Sequence, residues 1–207
     1  MDFFHLYRFG NKIFLQKNQS EDFVQFDGDW DVLINQPKLY EELEMLFDSQ
    51  IKTQAIPQNF DPPIGEQEIW AAGVTYLRSK EARMEESKES GGATFYDLVY
   101  SAERPEVFYK GNKHRAVGQN GKVSIRKDST WDVPEPELTL VINNRNELIG
   151  YTIGNDMSSR SIEGENPLYL PQAKVFNNCA GIGPGIMITK DPIPQDTIIK
   201  MWIKRNG

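Results

Sequence analysis

Residues 131–138 read Trp-Asp-Val-Pro-Glu-Pro-Glu-Leu, two glutamates one residue apart with a proline before each. Proline fixes its own backbone and pushes the preceding residue out of the helical region, so Pro134 and Pro136 hold Val133 and Glu135 extended. In an extended chain residues two apart share a side; Glu135 and Glu137 therefore project together and repel unless a proton or cation lies between them. Prolines also withhold ladder donors, which suits a strand entry or edge beside an open pocket. Downstream, ELTLVI, a turn at NNRN and LIGYTIGND make a hairpin. A turn centred near residues 144 and 145 sets residues 154–156 opposite Glu135 and delivers the Asp156 carboxylate to the same place. A one-residue slip would send it to the other face, and Gly154 is the expected seat of a bulge that decides the matter. A lone Glu-x-Glu on a strand is often only a solvated face. Three convergent carboxylates with no cysteine or histidine cluster instead select a hard ion, Mg²⁺ first and Mn²⁺ or Ca²⁺ next.

The elements that must position these groups are mostly strands. FFHLYRF and KIFLQ alternate with a period of two around Gly10-Asn11 and predict a hairpin. LYEELEMLF, residues 39–47, places Leu39, Leu43, Leu46 and Phe47 on one helical face. IPQNFDPPIGE, residues 56–66, reads as a linker. It divides a small N-terminal α+β domain, 1–60, from a larger β-rich domain, 61–207. After it, IWAAGVTY suits a buried strand. The charged run that follows, residues 78–94, suits a helix that is either a lid over the site or a solvated surface helix. EVFYK, KVSIR, ELTLVI, ELIGYTI, GIMIT and TIIKMWI read as further strands, and GIGPG at 181–185 as a turn.

The fold class expected is α+β, mostly β. At 207 residues the chain can bury one sizeable core. A net charge of −7 and a pI near 5.0 disfavour a nucleic-acid partner and leave a small molecule as the expected one. A single cysteine, Cys179, and a charged N-terminus point to a reducing, cytoplasmic setting, in which the sequon at Asn18 has no meaning. No apolar run approaches the roughly 20 residues that cross a bilayer. The last strand-like segment stops on Asn206-Gly207, half of a hairpin signal. Either the chain is cut short there or that strand pairs with something outside it. Cys179 is expected to be a small buried filler and His114 a loop residue.

The segments WDVPEPELTLVIN and IGYTIGNDMSSRSIEGENPLYLPQAKVFNNCAGIGP resemble the fumarylacetoacetate hydrolase family, whose metal site is Glu-x-Glu followed by an Asp in a GNDxSxR-like stretch. The likeness covers residues 70–189, and its upstream parts, AAGVTYLRSKEARMEES and YDLVYSAERPEVFYKGNKHRAVG, most resemble the 2-keto-3-deoxy-D-arabinonate dehydratase branch. The resemblance implies a distorted, barrel-like β-roll with a small N-terminal domain and assembly as a homodimer or higher homo-oligomer. It implies Mg²⁺ on Glu135, Glu137 and Asp156. It further implies Lys174 as the active-site lysine, Glu106 as an acidic partner, and Arg160 and Lys110 as substrate contacts. Hydrolases of the family carry a water-activating His and Glu in G-x-N-Y-x-x-H-x-x-E; here GVTYLRSKEA puts Ser79 and Ala82 at those places. Family members also continue for roughly another eighty residues, on the scale of a further half-domain.

The resemblance thus implies an Mg-dependent dehydratase of 2-keto-3-deoxy sugar acids. Lys174 would remove a C3 proton, its pKa lowered by burial beside a dication, and Glu106 would protonate the departing C4 hydroxyl. The alternatives are a hydrolase of acylpyruvates or related 1,3-dicarbonyls and a non-catalytic keto-acid binding protein. Without the family, Lys174 would be solvated by default, and Arg160 with Glu163 an ordinary surface ion pair.

Overall fold

A computed structural model describes residues 2–73 and 102–206. The segment expected to form a helix or lid, 78–94, lies outside them, as do Ser79 and Ala82. An eight-stranded sheet forms the body. It opens with a hairpin of β1 (Phe3–Phe9) and β2 (Lys12–Lys17) around Gly10, as the alternation predicts. β3 (Phe23–Asp27) and the two-residue β4 (Lys52–Thr53) extend one side. On the other side β1 pairs with β12 (Ala180–Thr189), which pairs with β10 (Leu148–Asp156), and β10 with the edge strand β9 (Pro136–Ile142). The short β7 (Ala116–Val117) runs parallel to the start of β12. One sheet therefore joins strands from both sides of the proline-rich stretch 56–66. It is an open roll rather than a closed barrel, and the chain is mostly β as expected.

Helix α1 (Trp30–Ile34) is capped by Asp29, whose side chain accepts from the Val32 N–H. Helix α2 (Leu39–Ser49) lays Leu39, Tyr40 and Leu43 into the core, with Leu46 and Phe47 at its margin. The core sits between these helices and the sheet: Phe4, Leu6, Leu15, Val24, Ile34, Leu43, Ile186 and Ile188 are all buried. Residues 56–66 are tied down on β1 and β2. Asp61 N–H donates to the Arg8 carbonyl at 2.8 Å, and the Phe60 ring stacks on Tyr7 with centroids 4.5 Å apart.

Several local expectations need correction. KVSIR, residues 122–126, forms no strand, and neither does TIIKMWI, in which Ile198, Trp202 and Ile203 are exposed. The Ser124 N–H donates to the Asn178 carbonyl at 3.2 Å, but no strand pairs with either segment among the described residues, and alternation without a partner strand does not make a sheet. IWAAGVTY is not a buried strand over its described part. Among the described residues β5 (Glu68–Ala72) pairs only with β6 (Val107–Asn112), Trp70 is exposed, and Ala71 is the one buried residue of the strand. GIGPG lies inside β12, where the pairing with β10 shifts register between Tyr151 and Ile153. Gly183 has φ +131, open to glycine and strained for other residues, so the turn-like composition marks an irregularity in a strand.

Candidate active site

The hairpin of β9 and β10 carries the acidic cluster. Its register places Gly154 opposite Glu137 and Asn155 opposite Pro136. One step further the Asp156 N–H donates to the Glu135 carbonyl at 2.9 Å, while the Glu135 N–H donates to Asn155 Oδ1 at 3.0 Å. The register irregularity in this pair falls between Leu148 and Gly150, not at Gly154. From there to Asp156 the pairing is regular, so Asp156 keeps the same side as Glu135. Glu135, Glu137 and Asp156 each offer an oxygen within 4.8 Å of the others. The spread is close to the separation of opposed ligand oxygens on Mg²⁺ or Ca²⁺, about 4–5 Å, and the donor set is all hard oxygen. These three residues could hold such an ion.

β11 (Ser158–Ser159) turns the chain away from the cluster by pairing with β8 (Asp132–Val133) and leads into α3 (Arg160–Glu165). A 3₁₀ turn, Pro167–Tyr169, and α4 (Leu170–Lys174) then return it. Lys174, at the end of α4, is 2% exposed. Its Nζ lies 2.6 Å from Glu135 Oε2 and 3.0 Å from Asp156 Oδ2. A third contact runs to Ser158 Oγ at 2.6 Å. Burial pulls this ammonium's pKa down, but the Asp156, Glu135 and Glu163 carboxylates and the bond to Glu135 pull it up by more, so it stands above the ordinary lysine value.

Lys110, on β6, is buried behind Asp156. It donates to the carbonyls of Met157 at 2.7 Å and Lys174 at 2.5 Å. It also makes a close ion pair with Asp156 Oδ1 at 2.6 Å that is not an aligned hydrogen bond. Its charge reaches the cluster while its N–H groups face protein atoms. Arg160 is ion-paired through one terminal nitrogen to Glu135 Oε1 and through the other to Glu163 Oε2, the latter at 3.2 Å. Glu163 is 7% exposed, so the pair is no surface bridge.

Both lysines sit against aromatic walls, Lys174 Nζ 5.5 Å from the Phe108 ring and Lys110 Nζ 5.4 Å from Phe176. Glu106 precedes β6 on the side of Phe108, by the alternation of an extended chain; the register with β5 shifts at Lys110. The Glu106 backbone carbonyl accepts from the Gly73 N–H at 2.9 Å, and a Cβ at Gly73 would meet its carboxylate at 2.1 Å. Glu137 is half-buried. Burial first, then the facing Asp156 and Glu135, push its pKa up to about 7, against the opposing pull of Lys174 and Lys110.

The structure thus gathers Glu135, Glu137, Asp156, Lys174, Lys110 and Arg160 into one cluster and sets Glu106 just before β6. Ser158 and Glu163 also belong to the cluster; Ser158 is absent from the residues singled out by sequence, and Glu163 enters there only as a surface partner of Arg160. The signal for Ser158 was its spacing of two from Asp156 on an extended stretch, and for Glu163 its helical spacing of three from Arg160. Cys179 is fully buried, its Sγ 3.4 Å from the Lys110 carbonyl, as a small filler should be. His114 lies in a turn.

The chain is 53% identical over 146 residues to the "Probable 2-keto-3-deoxyxylonate dehydratase" of Haloferax volcanii, a match covering 70% of this chain and 49% of that protein. It is 40% identical over 161 residues to the "2-dehydro-3-deoxy-D-arabinonate dehydratase" of Saccharolobus solfataricus, covering 76% and 52%. It therefore spans about half the length of the curated relatives it matches. Among solved structures, 2-keto-3-deoxy-D-arabinonate dehydratase in its apo form superposes with a TM-score of 0.70 at 29% identity, over 93% of this chain and 69% of that one. The same enzyme "complexed with magnesium and 2,5-dioxopentanoate" gives 0.68 at 28%, over 93% and 69%. Residues 69–207 match the profile described as fumarylacetoacetate (FAA) hydrolase C-terminal, and the chain belongs to the fumarylacetoacetate hydrolase family.

Proposed function

We propose that this chain carries the site of a metal-dependent dehydratase acting on 2-keto-3-deoxy sugar acids. The observation that carries the reading is the buried lysine set directly among three convergent carboxylates, Lys174 Nζ lying 2.6 Å from Glu135 and 3.0 Å from Asp156. Glu135, Glu137 and Asp156 would hold the ion, Mg²⁺ by the hardness of the donors. A bound dication supplies Lewis acidity next to a keto acid's carboxylate and ketone, which acidifies the adjacent C3–H. Lys174 then takes the C3 proton, and Glu106, just before β6, returns a proton to the leaving C4 hydroxyl. Arg160 is the proposed contact for substrate oxygens, and Lys110 contributes positive charge from behind Asp156. Support for the substrate class comes from relatives named as dehydratases of such acids. The hydrolytic alternative lacks its residues, since Ser79 and Ala82 stand where hydrolases place His and Glu.

We also propose a cytoplasmic homodimer or higher homo-oligomer. Among the described residues no helix is long and apolar enough to cross a membrane. The edge strand exposes Leu138, Leu140 and Ile142, and the first and last of these pair across to exposed Ile153 and Leu148. Light scattering on Leu140→Glu tests this; an unchanged particle mass in an oligomeric wild type would remove this face as the interface. The activity is tested by incubating the protein with 2-keto-3-deoxy-pentonates, acylpyruvates and oxaloacetate, with and without Mg²⁺. A Mg²⁺-dependent semialdehyde from the first substrate alone is the expected result. Pyruvate from an acylpyruvate would favour hydrolysis instead, and binding without turnover a non-catalytic role.

A further inference from the structure

Lys174 has three N–H donors as an ammonium, and three acceptors surround it: Glu135 Oε2, Asp156 Oδ2 and Ser158 Oγ. Two of these acceptors belong to the acidic cluster, and an ion held there competes for them. Ser158 is not one of those carboxylates. Its side chain is fully buried, and its oxygen lies 2.6 Å from Lys174 Nζ. The hydroxyl has a single proton, with the Asp156 carbonyl at 3.1 Å and Glu135 Oε2 at 3.2 Å to receive it. Whichever receives it, the oxygen lone pairs face the lysine. The backbone at Ser158 is fixed in turn by pairing with Val133 across β11 and β8.

We infer that Ser158 is a positioning residue that holds the Lys174 side chain when the carboxylates are engaged by an ion. A lysine that gives up one proton to act as a base keeps two N–H groups, and it presents its lone pair in one direction when one of those is held by an acceptor for which no ion competes. The Ser158 hydroxyl, 2.6 Å from Lys174 Nζ, is an acceptor outside the set of carboxylates and fixes the nitrogen whether or not those are engaged. This inference rests on the proposed role of Lys174 as base.

Variants at Ser158 and Lys174 separate the two claims. Ser158→Ala should lower kcat by about 10–100-fold, the usual loss when a group supporting an active-site residue is removed, with KM and Mg²⁺ affinity within about twofold. Ser158→Thr, which keeps the hydroxyl, should recover most of the rate. In a Lys174→Ala background Ser158→Ala should cost nothing further; an equal loss there would show a merely structural role and overturn the inference. Independently of turnover, ¹⁵N-lysine NMR of the Mg²⁺-loaded protein should show a slowly exchanging Lys174 amine signal, identified by its absence in Lys174→Arg. That signal should broaden in Ser158→Ala, and a signal that stays sharp would also overturn the inference. Should Lys174→Ala leave turnover intact, the proposed function fails, while the NMR signal still decides whether Ser158 holds the lysine.

Discussion

Affinity of this site for Mg²⁺ should rise steeply with pH across neutrality, and Glu137 is the reason. Its carboxyl titrates near 7 because burial and the facing carboxylates of Asp156 and Glu135 disfavour a further negative charge. A cation binds the carboxylate and not the acid, so binding must first expel that proton. With a midpoint near 7, apparent affinity falls below its limit by about 11-fold at pH 6 and about 1.1-fold at pH 8, a ratio of about tenfold or about 1.4 kcal/mol. Calorimetric titration with Mg²⁺ in paired buffers of different ionisation enthalpy counts the protons. About 0.9, 0.5 and 0.1 should leave Glu137 at pH 6, 7 and 8. Glu137→Gln should bind more weakly and lose this slope.

Affinity that stays flat between pH 6 and 8, or a slope that survives in Glu137→Gln, would refute the assignment. The sign for stability without metal runs the other way. The folded pKa lies above the ordinary value of 4.5, so the folded protein holds the proton more tightly than the unfolded chain. That stabilisation is fully present below about 4.5 and is lost as pH rises through about 7, amounting to roughly 3 kcal/mol at most before solvent screening of a half-buried group. Added Mg²⁺ should restore stability on the alkaline side, which thermal melts at pH 5 and 8 with and without the ion would show.

Glu135→Gln should abolish turnover and Mg²⁺ affinity together, because this carboxylate both faces the ion site and anchors Lys174; calorimetry and the dehydration assay check it. Lys174→Ala should lower turnover by about 10²–10⁴-fold, the contribution of a positioned general base. It should leave Mg²⁺ affinity equal or higher, since a competing ammonium is gone; loss of metal binding would refute the role of the lysine. Leu6→Ala, in the fully buried core of β1, should cost about 2–5 kcal/mol in urea unfolding with Mg²⁺ affinity unchanged.

Much of the site was legible because its spacing is local. Period-two geometry put Glu135 and Glu137 on one side, and the hairpin count brought Asp156 to them; the register observed is the one required. Strands with strong neighbours, such as β1, β2 and β10, were equally readable. What failed was pairing: KVSIR and TIIKMWI carry strand-like residues, yet no partner strand reaches them among the described residues. The glycines and proline of 181–185 reported broken regularity correctly, but composition does not distinguish a turn from an irregular strand. Lys110 and Glu163 show a different limit. Charged residues in polar stretches are exposed by default, and only tertiary neighbours reveal that these two are buried with partners.

Those partners also give the cluster its sense as a machine. Three cationic side chains, Lys110, Lys174 and Arg160, face the carboxylates of Glu135, Glu137, Asp156 and Glu163, so the site without an ion carries nearly balanced charge. Lys174 then acts as a counter-ion, its proton stabilised by Asp156 and Glu135 against the burial that would remove it. Those carboxylates are also the groups that would face a dication. Once their charge is neutralised, the causes that raise the lysine's pKa weaken and the one that lowers it, burial, remains. If Lys174 is the base proposed above, the same geometry makes it a poor one when the carboxylates are free and a better one when they are engaged, which would tie proton abstraction to occupancy of the site.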